Sequence, residues 1–256
     1  MINYFITTLK MRNEPLFYFG LMCLLTAAVL IVIARGSQLQ VTGSNAWYKP
    51  IKFALSISVF CFTMGWFCWY LQMPRQVSIY SWATIIFLAF ELVYITYQAA
   101  RGQQSHFNRS TPLYSVLYTG MAFAATAVTL HTAYIGILFC SRSFPQLPDY
   151  YLFSIRLSIF LFVIFAFEGA LMGGMNAHTI GGPDGSRGIP FLNWSRQFGD
   201  ARIAHFIGMH ALQVLPLLAY YVLKDVRLTL FSAVIYTAMA VIVLAQALSR
   251  MPLVRG

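Results

Sequence analysis

The sequence predicts an all-α integral membrane protein, a seven-transmembrane helix bundle, on three observations. Apolar residues make up 59% of the chain and charged residues only 9%, where a soluble domain carries about a quarter. The charges gather in short gaps between long apolar runs. Those runs are continuous instead of alternating over about ten residues, which selects helices over a membrane barrel.

Runs near the ~20 residues needed to cross ~30 Å of hydrocarbon fall at 15–34, 51–72, 78–100, 113–139, 151–174, 201–223 and 227–248. No soluble domain, internal repeat or low-complexity tail stands outside them, so residues 1–256 read as a single transmembrane domain. The first run follows Lys10 and Arg12 as a signal peptide would. Its length and the lack of a small-x-small cleavage site favour an uncleaved helix. Seven spans then put the termini on opposite sides. The N-terminal side holds Lys10, Arg12, Arg75, Arg142, Arg156, Lys224 and Arg227. The C-terminal side holds Arg35, Lys49, Lys52, Arg101, Arg109, Arg187, Arg196, Arg202, Arg250 and Arg255. Seven against ten favours a cytoplasmic C-terminus.

Composition also limits the chemistry. A retinal Schiff base needs an intramembrane lysine, and Lys10, Lys49, Lys52 and Lys224 all lie at span ends or in loops. The net charge of +10 suits anionic head groups, and nothing else supports nucleic-acid binding. Cys23, Cys61, Cys68 and Cys140 form no CxxC pair and read as small apolar packing residues.

The informative residues are polar ones that a bilayer excludes unless they are paired or hydrated. In the third span, at about 100° per residue, Tyr80, Thr84, Glu91, Tyr94, Gln98 and Arg101 form one polar stripe. In the sixth, Arg202, His205, His210, Gln213 and Tyr220 share an arc of about 140°, with the two histidines ~7.5 Å apart along the axis. Pro216 removes the hydrogen bond to the Leu212 carbonyl and predicts a kink beyond His210.

The fourth span holds His131 on a face shared with Gly120, Ala124 and Ala127, small enough to admit a flat ligand or another helix. The fifth carries Glu168 beside Gly169 and Gly173, a GxxxG pattern that permits close helix packing, with Arg156 as a snorkelling interfacial residue. Counted from the C-terminal side, Glu91, Glu168 and His210 lie about 9–14 Å deep, His205 about 6 Å, and His131 deeper. Arg101, His106, Arg109, His178 and Arg202 sit near the mouth.

Residues 176–200 form the longest loop, read as an ordered lid with turns at GGPDG and RGIP, Phe191 and Trp194 as interfacial pins and Asp200 as N-cap of the sixth span. The loop lacks GxGxxG and Walker patterns; its NWS and the earlier NRS match a glycosylation sequon that is common by chance.

Three chemistries use this set. The first is b-type haem bound for membrane electron transfer or redox chemistry, with His131 and His210 as the axial pair. His205 with His106 or His178 would then hold a second haem, and Arg101, Arg109 and Arg202 would pair with propionates. No CxxCH is present for covalent attachment. The second is a metal-dependent intramembrane enzyme, with Glu91, Glu168, His205 and His210 around zinc or iron. It lacks HExxH. The third is a proton-coupled transporter or channel using Glu91, Glu168 and the histidines. Tyr94, Gln98, Gln213 and His178 are further polar residues of the site under any of the three. Beyond the lipid bilayer, the compatible partner is a quinone or another small hydrophobic ligand.

Overall fold

The structure, a computed structural model, describes residues 2–186 and 188–254. Arg187, within the RGIP turn, and Arg255 lie outside the described residues. Helices α1 (Ile2–Arg12), α2 (Glu14–Gly36), α3 (Tyr48–Cys68), α4 (Pro74–Ala100), α5 (Pro112–Ser141), α6 (Asp149–Met175), α7 (Ala201–Leu218) and α8 (Val226–Leu248) follow in order. The last seven, with α3 prolonged by a 3-10 turn to Leu71 and α7 by a π turn to Leu223, are long and apolar enough to cross a membrane. Helix α1 is additional to the seven predicted spans. At 11 residues it is too short to span.

Side chains tie down both ends of α2. Asn13 caps α2 by accepting from the Leu16 amide at 3.1 Å, and its amide donates to Ser81 Oγ at 2.8 Å, tying the start of α2 to α4. Beyond α2, strands β1 (Gln40–Val41) and β2 (Ser44–Asn45) form a tight hairpin. Its turn residues Thr42 and Gly43 both have positive φ, as a two-residue hairpin with right-handed twist requires. Asn45 Nδ2 then donates to the carbonyls of Ala34 and Ser37, each at 3.1 Å, satisfying acceptors that the helix end leaves open.

The chain divides into two compact units, residues 1–128 and 129–256. In the first, Gly20 lies against Phe62 of α3, so close that a Cβ would stand 2.6 Å from the ring. Arg12 stacks over Trp66 at 3.6 Å and Tyr70 at 4.8 Å, which anchors α1 by a guanidinium on aromatic faces. Tyr94, Ile95 and Met121 form a buried cluster with Phe53, Phe90 and Leu117 around them.

The second unit is built on α6, α7 and α8. Its core joins Leu161 and Phe165 to Ala211 and Leu215 and to Ala233 and Ala240. Lipid tails are as apolar as leucine, so association inside a bilayer rests on close packing of small residues. Gly208 serves that end, because any Cβ there would collide with the Phe165 ring. Tyr236 of α8 donates to the Ile207 carbonyl of α7 at 2.6 Å. The outward face of α8 exposes Phe231, Val234, Ile235, Val241 and Ile242, as a lipid-facing helix does.

Pro216 sits inside α7, and the chain leaves regular geometry just after it. A π turn covers Ala219–Leu223 and ends at Lys224 in the left-handed region. The π turn follows α7 directly and begins three residues beyond Pro216. Tyr220 stands in it and packs edge-on against Tyr151 at 5.1 Å.

Candidate functional site

The α4 stripe is turned inward. Tyr80, Thr84, Glu91, Tyr94 and Gln98 are all buried, while Arg101 at the helix end is exposed. Gln98 Nε2 donates to Tyr94 Oη at 2.9 Å. Thr84 Oγ1, Glu91 Oε1 and Gln98 Oε1 are buried with no hydrogen-bond partner. Such atoms cost about 1–3 kcal/mol each unless water or a ligand reaches them.

The mouth residues of the first unit have local roles. Arg101 Nη1 donates to Tyr97 Oη at 2.9 Å, and Arg109 lies over the Tyr118 ring at 5.6 Å. His106 sits among Phe53, Phe107 and Tyr118, with Nδ1 3.1 Å from Ser105 Oγ. The small face expected to admit a ligand beside His131 is occupied at Gly120, where a Cβ would meet Phe90 Cζ at 3.3 Å. His131 itself is half-buried, its ring 6.2 Å from that of Tyr134.

In the second unit α6 and α7 bring two predicted residues together. His205 Nδ1 stands 3.3 Å from Glu168 Oε2, with side-chain exposures of 29% and 7%. The separation is that of an ion pair, but the groups are not aligned as a hydrogen bond. His205 Nδ1 and both Glu168 oxygens are therefore buried without a hydrogen-bond partner. Gly169 makes room for the ring, since a Cβ there would meet His205 Cε1 at 2.9 Å. The GxxxG motif thus serves an imidazole at its first glycine.

His210, one and a half turns on, is held differently. Its Nδ1 lies 2.7 Å from the Phe206 carbonyl, and its ring is 4.0 Å from that of Phe206. A carbonyl can only accept, so Nδ1 carries the hydrogen and neutral His210 keeps its lone pair on Nε2. Gln213 is half-buried on the same helix. Among the described residues no group of three or more His, Cys, Asp and Glu side chains is placed to hold one metal ion.

The 176–200 loop is stitched by two carboxylates. Strands β3 (Thr179–Ile180) and β4 (Gly199–Asp200) pair antiparallel and close its base. Asp184 accepts from the amides of His178 and Thr179 at 3.1 and 2.8 Å, and its Oδ2 is 2.8 Å from His178 Nδ1. Burial opposes the charge on Asp184, but these bonds and the imidazole outweigh it and hold the carboxyl below the ordinary carboxylate range. Asp184 carried no predicted role; the one signal for it was its place in the GGPDG turn.

Asp200 caps α7 as predicted, accepting from the Arg202 amide at 3.1 Å, and also takes the Ser195 amide at 2.8 Å and Arg202 Nε at 2.8 Å. Arg202 Nη2 donates to the Asn193 carbonyl and to Asp200. Trp194, expected at the membrane interface, packs edge-on against Phe206 at 5.5 Å and joins the Ile203, Ala204 and Val243 cluster. Arg156, expected to snorkel, donates from Nε to the Phe139 carbonyl at 2.8 Å and from Nη2 to that of Arg142 at 3.1 Å, which caps the end of α5. Comparison with family models, curated proteins and solved structures finds no match.

Proposed function

We infer that this chain is a proton-coupled membrane transport protein in which Glu168 and His205 take up and hand on the proton. The observation that carries this reading is their pairing across α6 and α7 at 3.3 Å, inside membrane-spanning helices and without a competing hydrogen bond on either facing atom. An ionised carboxylate at membrane depth costs about 2.5–3.5 kcal/mol or more when isolated, which is why such groups mark ion pathways. Imidazole is the side chain able to exchange a proton with it near neutral pH. His205 is the more exposed of the two, so it is the entry side of the pair, and Glu168 the inner side. Their lack of alignment leaves lone pairs and protons available to a water or a polar substrate group.

The test is proton movement in liposomes holding the purified protein, read by an internal pH dye after a gradient is imposed. Wild type collapses the gradient, and Glu168→Gln and His205→Gln each lower the rate by about 10²-fold with helix content unchanged. Unchanged rates in both variants contradict the reading.

One observation favours a second reading, b-type haem binding. The Nδ1 tether on His210 is the arrangement that orients an imidazole for an iron at Nε2. The expected propionate partners are otherwise engaged: Arg202 with Asp200 and Asn193, Arg101 with Tyr97. If haem binds, it supplies electron transfer, and adding haem to the purified protein gives a Soret band that His210→Ala removes. No band in wild type ends that reading.

A further inference from the structure

A recess of about 370 Å³ opens where α5 ends at Ser141 and α6 begins at Asp149, lined by Arg142, Arg156, Asp149, Ser143, Phe144 and Leu152. Both helices are spans, so the recess stands at the level where hydrocarbon gives way to water. Its charges are unpaired. The side chains of Arg142 and Asp149 make no hydrogen bond or ion pair among the described residues, and no ion pair links Asp149 to Arg156 although all three line one recess. Arg156 is fixed by its two carbonyl bonds through Nε and Nη2, which leaves Nη1 uncommitted. Phe144 and Leu152 are buried and give the recess an apolar floor, Phe144 stacking on Phe139 at 5.0 Å.

We propose that this recess binds the head group of an ammonium-bearing glycerophospholipid, with the phosphodiester at Arg142 and Arg156 and the ammonium at Asp149. Guanidinium groups present paired donors that match phosphate oxygens. A carboxylate beside them repels a free phosphate dianion but complements a head group that carries both signs. The apolar floor suits the glycerol and ester region and has no use in holding an inorganic ion. Position, charge pattern and floor thus point to one class of ligand, independently of any proton movement in α6 and α7.

The test is native mass spectrometry of the delipidated full chain mixed with micelles containing phosphatidylethanolamine or phosphatidylglycerol. Wild type retains phosphatidylethanolamine in preference to phosphatidylglycerol, and excess inorganic phosphate does not displace it. Arg142→Gln lowers retention of both lipids several-fold, while Asp149→Asn removes the preference and leaves phosphatidylglycerol bound. Arg156 is left intact because it caps α5. Circular dichroism confirms that both variants keep their helices. Wild-type retention in Arg142→Gln, an unchanged preference in Asp149→Asn, or displacement by phosphate overturns the proposal.

Discussion

Gly169 and Gly208 lie against side chains of the facing helix and have opposite consequences when filled. A Cβ on Gly169 would press on the His205 ring, whose side chain is partly exposed, so Gly169→Ala is expected to disturb the pairing with Glu168 without unpacking the unit. Proton flux in liposomes is expected to fall while the melting temperature holds. Gly208 faces Phe165, which is buried in the three-helix core and has nowhere to go. Gly208→Ala is expected to destabilise by about 1–3 kcal/mol, the cost of overpacking, read as a lower midpoint in thermal unfolding. At Asp200, loss of the carboxylate strands the Ser195 amide and the Arg202 guanidinium together. Asp200→Ala is therefore expected to cost more than the ~1 kcal/mol of a helix cap, with amide exchange rising first at Ser195 and Arg202.

Among the elements, the 176–200 loop has a pH dependence whose sign follows from Asp184. Its carboxyl is held below its ordinary range by His178 and Thr179 against the effect of burial. The stabilisation is therefore present in full above the ordinary carboxylate range, and is lost as pH falls from there toward the lower value in the fold. Amide exchange at Thr179 is expected to be slow at neutral pH and to accelerate in acid, and Asp184→Asn to remove that dependence. A protection unaffected by acid contradicts the assignment. That clip was not legible in the sequence, because an aspartate in a Gly-Pro-Asp-Gly turn is sufficiently explained by turn chemistry alone. The α4 stripe was legible: a 3.6-residue period assigns Tyr80, Thr84, Glu91, Tyr94 and Gln98 to one face, and all five are buried. The stripe of α7 was only half legible. Periodicity put Arg202, His205, His210, Gln213 and Tyr220 on one arc, yet Arg202 turns back to the loop and Tyr220 lies in a π turn.

At the scale of the whole molecule, apolar run length located the seven spans to within a few residues, because crossing hydrocarbon sets a minimum that few other constraints imitate. Helix α1 escaped for the same reason, being shorter than that minimum and held by contacts such as Arg12 on Trp66 that only the fold creates. Glu168 and His205 were each visible as polar residues in apolar helices. Their pairing was not, since it depends on the rotation of α6 against α7 and on the missing side chain at Gly169.

If Glu168 and His205 act as one proton-carrying unit, a double-variant cycle of flux reveals it. Wild type, Glu168→Gln, His205→Gln and the double variant are compared in liposomes under the same imposed gradient. The double variant is expected to be no slower than either single one, as groups serving one transfer are non-additive. Independent losses that multiply, or flux that survives both substitutions, contradict it.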